Sequence, residues 1–145
     1  GKLTAEEWVI MKQHCVAGRN AIISSAQELS EGDDAFLGHA AQIAYCHHER
    51  WDGNGYPRGL SGDDIPLGAR LMAVADVYDA LISKRIYKRA FSHEQSIQMM
   101  AAERGSHFDP DALDAMLSLA DEFDAIAGRY RDTSEEVTAL ESRLG

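Results

Sequence analysis

The chain has 145 residues, within the roughly 100–200 that a single domain occupies. Its 45% hydrophobic, 26% charged and 8% aromatic residues, with three prolines, describe a globular chain and exclude a disordered, fibrous or aromatic-rich β-sandwich class. Fourteen basic against 24 acidic residues leave a net charge of −10, a field that repels nucleic acid polymers and anionic membranes but leaves room for a small anion held locally.

Thr4-Ala5-Glu6-Glu7 reads as a capping box, a hydroxyl and a carboxylate exchanging hydrogen bonds across a helix start. Behind it Trp8, Met11, Cys15, Ile22, Ala26 and Leu29 recur at helical spacing, which predicts a helix over 5–29, softened at Gly18. After a turn over 30–33, Phe36, Leu37, Ala40, Ile43, Ala44 and His47 predict a second helix reaching Arg50. Residues 51–66, WDGNGYPRGLSGDDIP, show no period and hold four glycines and two prolines. A loop this long inside a small domain is usually functional or disordered. Trp51, Tyr56, Leu60 and Ile65 give it apolar anchors, so an ordered loop is expected. Pro66 opens a third helix carried by Leu67, Leu71, Val74, Ala75, Tyr78, Leu81 and Ile82. Ser92 and Gln95 form another capping box, for a helix through Ile97, Met100 and Ala101 that stops at Gly105. Asp109-Pro110 starts a helix through Leu113, Met116, Leu117, Ala120 and Phe123. From Asp132, Val137, Leu140 and Leu144 mark a short amphipathic helix. With no convincing strand, the expected class is all-α.

Cys15 and Cys46 form no CxxC pair, which speaks against a disulfide framework or a zinc ribbon and for a reducing, cytoplasmic setting. No apolar run reaches the ~18 residues of a membrane span. His39, His93 and His107 have no partner pattern and read as surface or capping histidines. His47-His48 is different, although adjacent residues on a helix point about 100° apart and so serve neighbouring ions more easily than one. Asp76 sits in the otherwise apolar A-V-A-D-V-Y-D-A-L, where a buried acid needs a partner or a cation, and Asp79 shares its face. Lys84, Arg85, Lys88 and Arg89 crowd four cations together, either as a solvated helix end or as a phosphate clamp. With His14, these residues point to imidazole and carboxylate ligands from three helices around divalent Fe, Mn or Zn, and to phosphate-ester hydrolysis; the soft thiolate pattern is missing.

Residues 47–60, HHERWDGNGYPRGL, followed by IPLGARLMAVADVYDAL over 65–81, closely resemble the HD-GYP family of cyclic di-GMP phosphodiesterases. MKQH (11–14), RIYKRA (85–90) and GSHFDP (105–110) match in order and spacing, so the resemblance covers about residues 1–120. It implies an all-helical HD-type bundle over 1–125, with 126–145 as a helical tail. It further implies metal ligands at His14, His47, His48 and Asp76 in a bi- or trinuclear centre, most often of iron or manganese. Gly55, Tyr56 and Pro57 would shape the pocket, and Asp79, Arg85 and Lys88 would lie near the substrate phosphates or the metals. The implied substrate is cyclic di-GMP, and many members carry an upstream receiver or sensory domain.

The family's namesake His-Asp pair lies upstream of the aligned segment, and no His-Asp dipeptide occurs in these residues. The chain is therefore expected to be the C-terminal portion of such a domain, with little turnover alone and with exposed apolar helix faces that favour self-association or a homodimer. The competing expectation is a degenerate, non-catalytic module that binds a nucleotide or a protein partner.

Overall fold

The computed structural model describes residues 4–26, 34–83 and 90–130. They form helices α1 (Ala5–Ala26), α2 (Asp34–Cys46), α3 (Leu67–Ile82), α4 (His93–Ala102) and α5 (Pro110–Ser118), with a 3-10 turn at Gly62–Asp64 and a further helical run over 120–130. There is no strand among the described residues, and the all-α expectation holds.

The helix starts follow from their caps. The Thr4 backbone N–H donates to Glu7 Oε2 at 2.7 Å while the Glu7 N–H donates to Thr4 Oγ1 at 3.2 Å, so two orphan donors are satisfied at once. Ser92 and Gln95 repeat the arrangement at α4. Asp109 caps α5 by accepting the Asp111 N–H at 2.9 Å, and Pro110 fills the first turn, where its missing N–H costs nothing.

Two apolar clusters hold these helices. Val74, Tyr78 and Ile82 of α3 pack against Met100 of α4, Phe108, and Ala112, Leu113 and Met116 of α5. Burying each large member contributes roughly 1.5–3 kcal/mol. A smaller cluster joins Cys46, Ile65 and Ala69, with Tyr45 and Leu60 against it, and so fastens the end of the 51–66 loop between α2 and α3. The two helices approach closely at Gly68, where a Cβ would lie 3.0 Å from Ile43 Cγ1. The Arg70 guanidinium donates to the buried Asp109 carboxylate at 2.8 Å and lies over Trp51, tying α3, the loop and the start of α5 together.

Several apolar positions expected on buried faces are exposed. Phe36 is 75% exposed, Trp8 48%, and Met11, Leu67 and Leu71 are also open. In α1 the cause is visible in the order of residues: Val9 and Ile10 follow Trp8 and precede Met11, so apolar groups surround the helix and α2 covers the side that carries Cys15. Helix α2 ends at Cys46 rather than at Arg50, and α5 ends at Ser118, capped by Leu119, before helix resumes at 120. That resumed run spans the expected 125/126 boundary. The helical tail from Asp132 and the cations Lys84, Arg85, Lys88 and Arg89 lie outside the described residues.

Candidate metal centre

The early end of α2 creates the site. His47 and His48 sit in the turn after Cys46, where the 100° separation of helical neighbours no longer applies, and their ring centroids lie 4.1 Å apart. The last carbonyls of a helix lack intrahelical partners. His47 Nδ1–H donates to Ala44 O at 3.0 Å and, shared with the His47 backbone N–H, to Ile43 O at 3.1 Å, which leaves Nε2 as the free lone pair. From α1, His14 Nδ1–H donates to Met11 O in the same manner, and its Nε2 accepts the Cys15 thiol at 3.5 Å. The His14 ring stands 5.6 Å from that of His47 and 5.0 Å from that of His48. One donor atom from each of His14, Cys15, His47 and His48 falls within 4.8 Å of all the others. This donor set fits a divalent ion: imidazoles held by carbonyls on one nitrogen present the other for ligation.

Beside this cluster lies a cavity of about 250 Å³ lined by His47, His48, Asp76, Val77, Ala80, Leu81 and His107. Asp76 faces it from α3 but is solvent-exposed, not the buried carboxylate that its apolar neighbours predict, and it stands outside the four-group cluster. The reason is that this face of α3 borders the open cavity while Val74 and Tyr78 face the core. Asp79 is exposed as well, accepts the Ser83 hydroxyl at 3.3 Å, and is not among the residues lining the cavity. Thus His14, His47 and His48 meet, Asp76 shares a cavity with two of them, and Asp79 stands apart.

The loop wraps this site. Gly55 passes so close to the preceding chain that a Cβ would lie 2.3 Å from Arg50 N and 2.5 Å from Glu49 Cα. The Tyr56 N–H donates to His48 O at 3.1 Å, and its ring stacks on His48 at 4.9 Å and 27°. The Tyr56–Pro57 peptide bond is cis. Lys12 Nζ lies 5.3 Å from the Tyr56 ring centroid, bringing a cation to this wall. Glu49 is 2% exposed, and its two carboxylate oxygens accept the Arg58 N–H at 2.7 Å and the Leu60 N–H at 2.9 Å. The loop's other flank is stitched to the 105–109 segment by Trp51 N–H to His107 O at 3.0 Å and Asp52 N–H to Ser106 O at 2.9 Å.

Three residues of the site went unread in the sequence. His107, expected as a surface or capping histidine, lines the cavity with its ring flat on Phe108 at 4.4 Å. Cys15, expected only as an apolar helix position, stands with the histidines, and a thiol is therefore part of the donor set. Glu49 carried a signal that was available: an acid directly after His-His and before a glycine-rich loop. His39 and His93 keep their structural reading, bonded to Ala35 O and to the Tyr78 hydroxyl.

Burial lowers the pKa of His48 to about 4, and the neighbouring His47 and His14 rings push it the same way. Burial likewise lowers that of His107, helped by the Arg50 charge. His48 is therefore neutral and ready to ligate at neutral pH. The unfolded chain takes up its proton near the ordinary pKa of about 6.5, whereas the folded chain resists until about 4, so the metal-free protein is expected to lose stability as pH falls through that window. The loss should be about 2 kcal/mol, because solvent reaching the half-buried ring screens part of the full effect. Denaturant titrations at pH 7 and pH 4.5 on the wild type and on His48→Gln measure it; an equal fall in unfolding free energy between the two pH values in both proteins would contradict the assignment.

Comparison with known proteins places this architecture. The model of the HD domain family matches residues 1–112. A probable cyclic di-GMP phosphodiesterase of Vibrio cholerae is 48% identical over 145 residues, covering 100% of this chain and 32% of that protein. A 3'3'-cGAMP-specific phosphodiesterase of the same organism is 42% identical over 132 residues, covering 91% of this chain and 24% of its own length. The chain thus spans about a third or less of these curated relatives. A crystal structure of a cyclic GMP-AMP specific phosphodiesterase from Vibrio cholerae superposes with a TM-score of 0.56 at 25% identity, over 77% of this chain and 24% of that one. The chain belongs to the HD domain family, and within it to the HD-GYP type whose His-His-Glu and Gly-Tyr-Pro signature its residues 47–60 carry.

Proposed function

We propose that these residues form part of the catalytic centre of a phosphodiesterase that hydrolyses cyclic di-GMP, with His14, His47, His48 and Asp76 as ligands to two or three divalent ions, iron or manganese foremost. The carrying observation is the meeting of three imidazoles, one from α1 and two from the turn after α2, at the edge of a cavity that Asp76 also lines. The names of the relatives, which act on cyclic di-GMP or on 3'3'-cGAMP, support the same reaction class.

Bound divalent ions would supply Lewis acidity and an activated water for attack on a phosphodiester. The chain's own residues do the rest. Carbonyl contacts orient His14 and His47, the Tyr56 ring fixes His48 and offers a flat wall to a base, and Val77, Ala80 and Leu81 keep one side of the cavity apolar. Gly55 and Pro57 shape the pocket on either side of Tyr56. On the resemblance, Arg85 and Lys88 would lie near the phosphates or metals, with Arg85 forking onto two phosphate oxygens, whereas the expected role of Asp79 has no support from the cavity, which it does not line. An upstream receiver or sensory domain, a homodimer and a cytoplasmic location belong to the same proposal, as does low turnover by these residues alone.

The test is metal-dependent binding and cleavage. The metal-free chain, loaded with Mn²⁺ or Fe²⁺, is expected to bind cyclic di-GMP, and His47→Ala is expected to weaken that binding at least about tenfold by weakening metal retention. Binding indifferent to metal removal and to His47→Ala would sink the reading. Competition with 3'3'-cGAMP decides between the two nucleotides. Metal-dependent binding without cleavage, in a protein that also supplies the His-Asp pair, would favour the non-catalytic module instead.

A further inference from the structure

Cys15 is the one member of the converging group to which the resemblance gives no role. We propose that Cys15 contributes a thiolate to the metal centre that His14, His47 and His48 form, a sulfur ligand that shifts its preference toward zinc, ferrous iron or cobalt and away from manganese. This rests on reading the cluster as a metal centre and goes beyond it by naming a ligand and a selectivity.

The geometry is specific. A tetrahedral zinc ion with Zn–S about 2.3 Å, Zn–N about 2.0–2.1 Å and angles of about 109° places adjacent sulfur and nitrogen about 3.5 Å apart. Cys15 Sγ and His14 Nε2 stand 3.5 Å apart before any ion is considered. The donor atoms of His14, Cys15, His47 and His48 all lie within 4.8 Å of one another. The carbonyl contacts of His14 and His47 already select the nitrogens that point inward.

The second cysteine supplies a contrast. Cys46 packs among Ile65 and Ala69 and behaves as a small apolar core residue. Cys15 is 0% exposed, yet it belongs to neither apolar cluster, and its thiol meets an imidazole nitrogen instead. A thiolate among imidazoles shifts affinity toward softer divalent ions, and manganese stands lowest in the general series. On binding, the thiol proton leaves to solvent and the sulfur–metal bond takes its place, so charge and atoms balance.

Titration of the metal-free chain with Co²⁺, followed by absorbance, tests this. The expected spectrum has visible ligand-field bands together with a near-ultraviolet band from thiolate-to-cobalt charge transfer. Cys15→Ser and Cys15→Ala should lose the charge-transfer band and retain the ligand-field bands, while Cys46→Ser retains both. Zinc affinity, measured against a chromophoric chelator, should fall at least about tenfold in Cys15→Ser, since even outer-shell losses cost about 10–100-fold. Manganese affinity should move by less than about threefold, because a hard ion gains little from sulfur. Ligand-field bands without charge transfer in the wild type would overturn thiolate ligation and leave the imidazole centre standing. A charge-transfer band that survives Cys15→Ser and disappears in Cys46→Ser would overturn it too, and failure to bind cobalt at all would remove ligand and centre together. Cyclic di-GMP takes no part in these readouts, so an error in the substrate would leave them unchanged.

Discussion

Gly55→Ala is expected to lower the melting temperature by about 10 °C and to pull Tyr56 away from His48. The new Cβ would meet Arg50 N at 2.3 Å, Glu49 Cα at 2.5 Å and the Glu49 carbonyl carbon at 2.6 Å. These are backbone atoms, so no rotamer change relieves the clash. Overpacking typically costs about 1–3 kcal/mol, and a contact of this kind belongs at the upper end. For a chain of this size about 3 kcal/mol corresponds to a shift of about 10 °C. Because the obstacle is steric and Gly55 has no left-handed φ, serine should do as much harm as alanine. Gly38→Ala is the control. It lies inside α2 with nothing within 4 Å of the new Cβ, and helix propensity predicts a gain of up to about 1 kcal/mol. A Gly55→Ala protein melting within about 2 °C of the wild type would contradict this account. The Tyr56–His48 stacking can be followed separately, through the imidazole proton shifts of His48.

The parts of this molecule that were legible from sequence are those governed by contacts between near neighbours. The boxes at Thr4/Glu7 and Ser92/Gln95 and the Asp109-Pro110 start depend on residues two or three apart, and each formed as its letters specify. The order of the 51–66 loop was readable because Ile65 and Leu60 are apolar where a linker would be polar. The histidine cluster was suggested by residue types and sharpened by resemblance, since His14 lies on α1 and His47 in the turn after α2, and periodicity says nothing of which helices meet. Burial was the weakest reading. Phe36, Trp8 and Leu71 fall on apolar positions of helices whose available neighbours cover a different side, and the pattern cannot tell a covered stripe from an uncovered one. The same blindness misplaced Asp76: Val74 and Val77 flank it in sequence, but the helix turns it toward a cavity. Cys15 and His107 were set aside because each was weighed alone, and their chemistry exists only in company.

Glu49 is expected to be the most sensitive polar position among the described residues. Its carboxylate lies within the protein, not facing a cation but facing two backbone N–H groups of the loop, Arg58 at 2.7 Å and Leu60 at 2.9 Å. Both bonds are partly shielded from water, with the buried Glu49 carboxylate as the shared acceptor. Glu49→Ala strands both, and an unsatisfied buried donor costs about 1–3 kcal/mol, so a total loss of about 3–4 kcal/mol is expected. Glu49→Gln is the sharper experiment. The amide keeps one acceptor oxygen but turns an NH₂ toward the other N–H, so one hydrogen bond survives and about half the loss, about 2 kcal/mol, should appear. The effect should then travel. Releasing residues 58–60 frees the segment on which Tyr56 rides, and His48 loses the ring that fixes its orientation. Loss of such supporting contacts commonly costs about 10–100-fold in metal affinity. Denaturant unfolding should therefore rank wild type above Glu49→Gln above Glu49→Ala, amide exchange at Leu60 should accelerate in the same order, and Co²⁺ affinity should fall alongside. Exchange at Leu60 that stays at the wild-type rate in Glu49→Gln would mean that the carboxylate does not hold the loop, and the link from Glu49 through Tyr56 to His48 would fail with it.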